Sequence, residues 1–161
     1  MTTSPSPMLP LQGAVLAVLR GDSTLTALAP GVYDYAPERA AYPFVVIGEA
    51  LETPVNAHDR FGRETVMTLH VWSQHRGHSQ GLAIAARITA LLDHQPLTVP
   101  GLAHVVTRFE FSQTLTDPEP PGDIRHVVLR YRVITEQLPA DAHPLSGPRG
   151  PALPHAQKGI T

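Results

Sequence analysis

The chain has 161 residues, 42% of them apolar and only 16% charged, with 12 Lys and Arg against 14 Asp and Glu and no cysteine. That length fits one domain around one packed core, and the near-neutral balance lacks the basic excess expected of a nucleic-acid binder. The missing thiols exclude disulfides, thiolate metal sites and a cysteine nucleophile.

The 17 prolines gather at the two ends, in Met1–Pro10 and from Pro139 to Pro154. Residues 1–8 are therefore expected to be a flexible lead, residues 9–137 the folded domain, and residues 138–161 a Pro- and Gly-rich mobile tail without an apolar period to offset its ordering entropy. The N-terminus has no basic region of the kind that opens a secretory signal, and Leu11–Leu19 is too short to span a membrane. The expectation is a protein made and kept in the cytoplasm until it is assembled.

Leu11, Val15, Val18 and Leu19 fall at helical spacing, and Pro10 suits a first helical turn, where its missing N–H costs nothing. Gly21 ends that helix. Asp22 or Ser23 can cap a second short turn through Leu28, which Pro30–Gly31 stops. Val32–Tyr35 reads as a short strand. Pro43 holds Tyr42 extended, and Phe44–Ile47 begins a β-rich run toward Leu51. Thr53–Gly62 reads as a long polar loop.

Arg63–Ser73 is the clearest strand. Val66, Thr68, His70 and Trp72 alternate with Thr65, Met67, Leu69 and Val71, and both sets are largely apolar. One face is expected against a helix and the other against a neighbouring subunit. Ser79–Asp93 reads as a helix whose stripe is Leu82, Ala85, Ala86, Ile88 and Leu92, with Ile84 and Leu91 beside it. Its small residues suit close packing on a sheet. Two further strands follow: His104–Ser112, with Val105, Phe109 and Phe111 on one face, and Arg125–Glu136, with Val127, Leu129, Tyr131 and Val133 on one face. Sequential strands mostly pair. The fold class is therefore α+β: a mostly antiparallel sheet of about four strands with two main helices on one face.

Candidate chemistry is sparse. His70, His75 and His78 are possible zinc ligands, but two of them sit in a Gly-containing turn, where a polar connection is the commoner outcome. Ser73, His75 and Asp93 could be assembled into a triad on paper, yet no GxSxG turn presents a serine. Glu49, Glu52, Asp59 and Glu64 flank a polar loop, as solvated carboxylates do. The glycines are too dispersed for a phosphate loop. Arg125, Arg130 and Arg132, with Arg108 and Glu110, form a candidate charged ladder that either pairs across strands or faces another subunit, and Arg60 and Arg63 could reach outward in the same way. No catalytic, cofactor-binding or metal-binding residue is expected.

The ordered segments LQGAVLAVLRGDSTLTAL (11–28), GVYDYAPERAAYPFVVIGEA (31–50), GRETVMTLHVWSQHRGHSQGLAIAARITALLD (62–93) and HVVLRYRVITE (126–136) resemble the phage tail terminator, or tail completion, family across Leu11–Gln137. The resemblance implies a structural subunit without catalysis or cofactor. It implies a ring, usually a hexamer, that caps the tail tube, ends its polymerisation and joins it to the head-side connector, with DNA only passing through the lumen. It places the protein in the tail or neck of a phage, prophage or gene transfer agent particle. The expected contact residues are Asn56, Asp59, Arg60, Arg63, Arg130 and Arg132. Competing expectations are another neck or adaptor protein and, from a different class, a small metal-dependent hydrolase.

Overall fold

Helix α1 (Met8–Gly21) forms where the apolar spacing places it, burying Leu11, Ala14, Val15 and Leu19 on one stripe. The computed structural model describes residues 4–117 and 122–139. Within it α1 is preceded by a segment whose Ser4 and Pro7 are buried. The expected C-terminal tail lies outside the described residues beyond Pro139. Helix α2 (Ser23–Leu28) is capped by Asp22, whose side chain accepts a hydrogen bond from the Leu25 amide at 2.7 Å. This satisfies one of the unpaired donors of the first turn. The same carboxylate receives two bonds from Arg87 on the next long helix, at 2.9 and 2.6 Å. The Arg87 guanidinium and the Leu25 amide together hold Asp22 down to about 2.

Five strands follow the order β1-β2-β3-β5-β4. They are β1 (Gly31–Tyr33), β2 (Phe44–Pro54), β3 (Gly62–Gln74), β4 (Leu102–Thr116) and β5 (Ile124–Gln137), with α3 (Ser79–Leu92) between β3 and β4. The β2–β3, β3–β5 and β5–β4 pairs are antiparallel, and β1 joins β2 in parallel. The class is α+β as expected. β2 runs on to Pro54, however, which shortens the expected Thr53–Gly62 loop to residues 55–61, and β4 is longer than the His104–Ser112 run. Strand pairing carries these polar stretches, where side-chain alternation gives no signal.

β3 and β5 are the interior strands, and their alternation sorts the two faces. Thr65, Met67, Leu69 and Val71 of β3, and Val127, Leu129, Tyr131 and Val133 of β5, are buried beneath the helices. α1 contacts β1 and β2, α3 contacts β3, β4 and β5, and the two helices touch each other. The core is thus one layer between helices and sheet. Tyr131 is wholly buried, and its hydroxyl shares a 2.8 Å hydrogen bond with Thr89 of α3.

α3 buries Gly81, Ile84, Ala85, Ile88 and Leu92. Leu82 and Ala86, expected in this stripe, are exposed. The true stripe is centred near Ala85 and Ile88, and at 100° per residue Leu82 and Ala86 fall to its flank. A β-carbon at Gly81 would stand 3.0 Å from Val127 and 3.4 Å from the Ser73 hydroxyl, so glycine brings this helix close to β3 and β5.

Candidate assembly interface

The sheet face away from the helices carries Val66, Thr68, His70 and Trp72 of β3 beside His126, Val128, Arg130 and Arg132 of β5. Apart from buried Thr68 these residues are half-buried. The outer face continues over Leu51 of β2 and over Arg108, Phe111 and Leu115 of β4. Leu51 is 64% exposed, and Phe111 and Leu115 are each more than a third exposed. The residues of β4 from Phe111 to Thr116 are all exposed, although each strand position there pairs with β5.

Two irregularities in β4 set which side chains reach this face. Register shifts occur between His104 and Val106 and between Phe109 and Phe111. A bulge adds one residue and so reverses the facing of everything after it. Phe109 therefore pairs with Tyr131 on the helix side, with ring centroids 5.9 Å apart, whereas Phe111 pairs with Arg130 on the outer face. The expectation that Val105, Phe109 and Phe111 share a face is corrected by these bulges.

The expected arginine ladder separates into three behaviours. Arg132 pairs across strands with Glu64 of β3 and with Glu110 of β4, the latter at 2.6 Å. Glu64 and then Glu110 raise its pKa above the ordinary arginine value. Its charge is balanced within the subunit. Arg130 instead lies over the Phe111 ring at 4.8 Å. Its buried Nε has no hydrogen-bond partner, and no carboxylate stands within ion-pair distance, among the described residues. Arg125 leaves the ladder altogether: it donates to the Gly122, Ile124 and Arg76 carbonyls, because its odd position points it away from the outer face.

Asn56, Asp59 and Arg60 lie together on the exposed loop 55–61. This short loop is internally tied. The Ala57 amide donates to the Arg60 carbonyl at 2.9 Å, and Arg60 pairs with Asp59 at 3.5 Å and with Glu136 of β5 at 3.2 Å. Glu136 and then Asp59 raise the Arg60 pKa. Arg63 is on the helix side, 2.9 Å from Glu52 and 3.1 Å from the Ser4 carbonyl, and so anchors the N-terminal segment. The structure thus gathers Asn56, Asp59 and Arg60, sets Arg130 and Arg132 apart on the outer face, and turns Arg63 inward.

The rival chemistry does not assemble. His75 bonds within its own turn to Gly77, and the His78 ring lies 3.4 Å from the Thr116 hydroxyl. Ser73 is buried beneath α3, while Asp93 accepts from the Phe109 amide at 2.8 Å and contacts His94. The Phe109 amide, then His94, holds Asp93 below the usual carboxylate range. Glu49, Glu52, Asp59 and Glu64 each face a different base, His70, Arg63, Arg60 and Arg132. Among the described residues no group of three or more histidines and carboxylates is placed to hold a metal ion, and no helix is long and apolar enough to cross a membrane.

A grouping that the strand pattern did not single out is His70, His126 and Trp72. His126 stacks on Trp72 with centroids 3.9 Å apart and planes 5° from parallel, and its Nε2 is 2.8 Å from Nδ1 of His70. The signal was present as alternation, but only the cross-strand register brings residues 70, 72 and 126 together.

Comparison with known proteins gives a consistent result. The family model described as tail completion protein gp17 matches residues 13–136. The tail completion protein gp17 of Bacillus phage SPP1 is 28% identical over 122 residues, spanning 76% of this chain and 89% of the relative. The solved structure of bacteriophage SPP1 gp17 superposes with a TM-score of 0.54 at 26% identity, covering 78% of this chain and 88% of that one. A chain from the virion of a native gene transfer agent particle has the same fold, with a TM-score of 0.73 at 24% identity, covering 83% of this chain and 99% of that one.

Proposed function

The chain belongs to the tail completion protein gp17 family, and from that premise we propose that it is the subunit of a ring, expected to be a hexamer, that caps the tail tube, ends its polymerisation and joins it to the head-side connector. It is a structural protein of the tail of a phage or phage-like particle and not an enzyme. Its proposed partners are further copies of itself, the tail tube protein and the connector, with DNA passing through the lumen.

The observation that carries this reading is the outer sheet face. It joins exposed Leu51, Phe111 and Leu115 to an arginine, Arg130, that has no carboxylate within ion-pair distance among the described residues. A ring closes by a heterologous contact between two different patches of the same subunit, and a mixed apolar and charged face of this kind supplies one of them. Arg130 is the proposed contact cation there. Arg132 is proposed to hold the strands that present it, and Arg63 to fix the N-terminal segment. Loop 55–61, with Asn56, Asp59 and Arg60, is proposed to touch the adjoining tube or the next subunit.

Two variants test this. Replacing Asn56–Arg60 with a short Gly-Ser linker, and separately Arg130→Glu, should leave the far-UV spectrum of the monomer unchanged. Each should lower the yield of complete particles in a head–tail joining assay by about tenfold or more, the effect of losing roughly 1.4 kcal/mol at a contact. Wild-type joining by either folded variant removes that residue set from the interface.

A further inference from the structure

We propose that Glu49, His70, Trp72 and His126 form a proton-responsive clamp across β2, β3 and β5, closed while the histidine pair carries at most one extra proton and opened by the second. The inference rests on geometry that is independent of the ring reading.

The clamp is built on three strands. Glu49 sits in the irregularity of β2 between Ile47 and Ala50, with its carboxylate 3.4 Å from Nε2 of His70. Nδ1 of His70 faces Nε2 of His126 at 2.8 Å. Trp72, the single tryptophan of the chain, covers His126. Gly48 makes room for the assembly, since a β-carbon there would collide with the His70 ring and approach the Thr68 carbonyl to 3.3 Å.

Two facing ring nitrogens can share a hydrogen bond only if one of them lacks a proton. A first added proton fits: doubly protonated His70 donates to Glu49 on one side and to His126 on the other. The Glu49 carboxyl is held below the usual range first by its own backbone amide and also by His70. A second proton places two N–H groups face to face and two like charges in contact, and the bond is lost. Burial, then the His70 charge, pushes His126 down to about 4. Among the described residues no carboxylate other than Glu49 is ion-paired with either ring. On the outer face of β5 the next cation is Arg130, which lines a hollow of about 140 Å³ with Glu49 and Thr68. On β4 the residue paired with His126 is Leu115, and on β2 the residue paired with Trp72 is Phe44.

The sign follows from linkage. His126 holds its proton less tightly in the folded chain than the ordinary histidine value of about 6.5, so the unfolded chain binds more protons between the two values. The contribution of His126 to stability is therefore lost as pH falls from about 6.5 toward 4, and that contribution is constant below.

The test is a pH titration of the full chain from 7.5 to 3.5. It follows the histidine rings by nitrogen-15 NMR, Trp72 by its emission, and secondary structure by circular dichroism. The expected result is two separated histidine steps, with the Trp72 emission moving on the lower step while the dichroism holds. In His70→Gln the His126 step should rise part of the way toward about 6.5, because the ring stays buried. In His126→Phe, which keeps the stacked ring without a proton, the emission change should vanish. Titration of His126 at the ordinary histidine value of about 6.5, or an emission change that persists in His126→Phe, overturns the proposal.

Discussion

Cutting Ile88 back to alanine should destabilise the fold by roughly 2–5 kcal/mol, the cost of removing buried methyl groups and leaving a cavity. Ile88 is fully buried in the stripe that α3 turns to the sheet, and α3 contacts β3, β4, β5 and both other helices. The cavity would open where helices and sheet share one core, with Gly81 already fixing the helix close to Val127. In urea the midpoint should fall with an unchanged slope, and the melting temperature should drop by on the order of 10 °C. Leu82→Ala on the same helix is the control. Leu82 is 44% exposed, and its loss should stay within about 0.5 kcal/mol. Equal effects at the two positions would mean that α3 packs on a different stripe.

Gly62→Val should be comparably damaging for the opposite reason, overpacking. A β-carbon at Gly62 would stand 2.5 Å from the Val55 carbonyl oxygen and 3.2 Å from that of Thr135. Both obstacles are backbone, so no flexible side-chain end can yield. The position closes loop 55–61: the Val55 amide donates to the Gly62 carbonyl at 3.0 Å, and the Gln137 amide donates to Phe61 at 3.0 Å. Forced methyl groups in a packed site cost about 1–3 kcal/mol, and the displaced backbone carries Asn56, Asp59 and Arg60 with it. The expected outcome is a melting temperature lowered by several degrees together with a loss of head–tail joining. Normal stability in this variant would mean that the loop closes in another way.

The regular parts of this fold are written in residue spacing. Leu11, Val15 and Leu19 repeat at helical intervals because one stripe of α1 meets the sheet. Met67, Leu69 and Val71 alternate because β3 is an interior strand. Asp22 stands where a cap is needed, and the structure selects it over Ser23. What spacing cannot carry is displacement. The irregularities near Gly48, Val105 and Glu110 each shift the side-chain alternation, so Phe109 and Phe111 end on opposite faces although the sequence puts them in phase. The insertion of β5 between β3 and β4 is also long-range, and it alone brings Arg132 between Glu64 and Glu110 and His126 onto Trp72. For the candidate interface, the residue types were legible while their partners were not. Arg130 and Arg132 are two residues apart on one strand face, yet one is balanced within the subunit and the other is not. Arg63, expected to reach outward, is committed to Glu52 and the N-terminal segment.

The proposed clamp and the proposed ring meet on the same surface. His70 and His126 lie on the face that carries Arg130 and Phe111, so a contact there would change the solvation of the histidine pair. Arg132 links β3, β5 and β4 beneath that contact through Glu64 and Glu110.

This subunit is proposed to close into a ring on the end of a tail tube. The most direct measurement is the solution mass of the purified chain by light scattering over a range of concentrations, alone and with tail tubes. The expected result is a ring-sized species, or a monomer of 17.4 kDa that becomes a ring when tubes are added. A chain that stays monomeric at every concentration and binds no tube would contradict it.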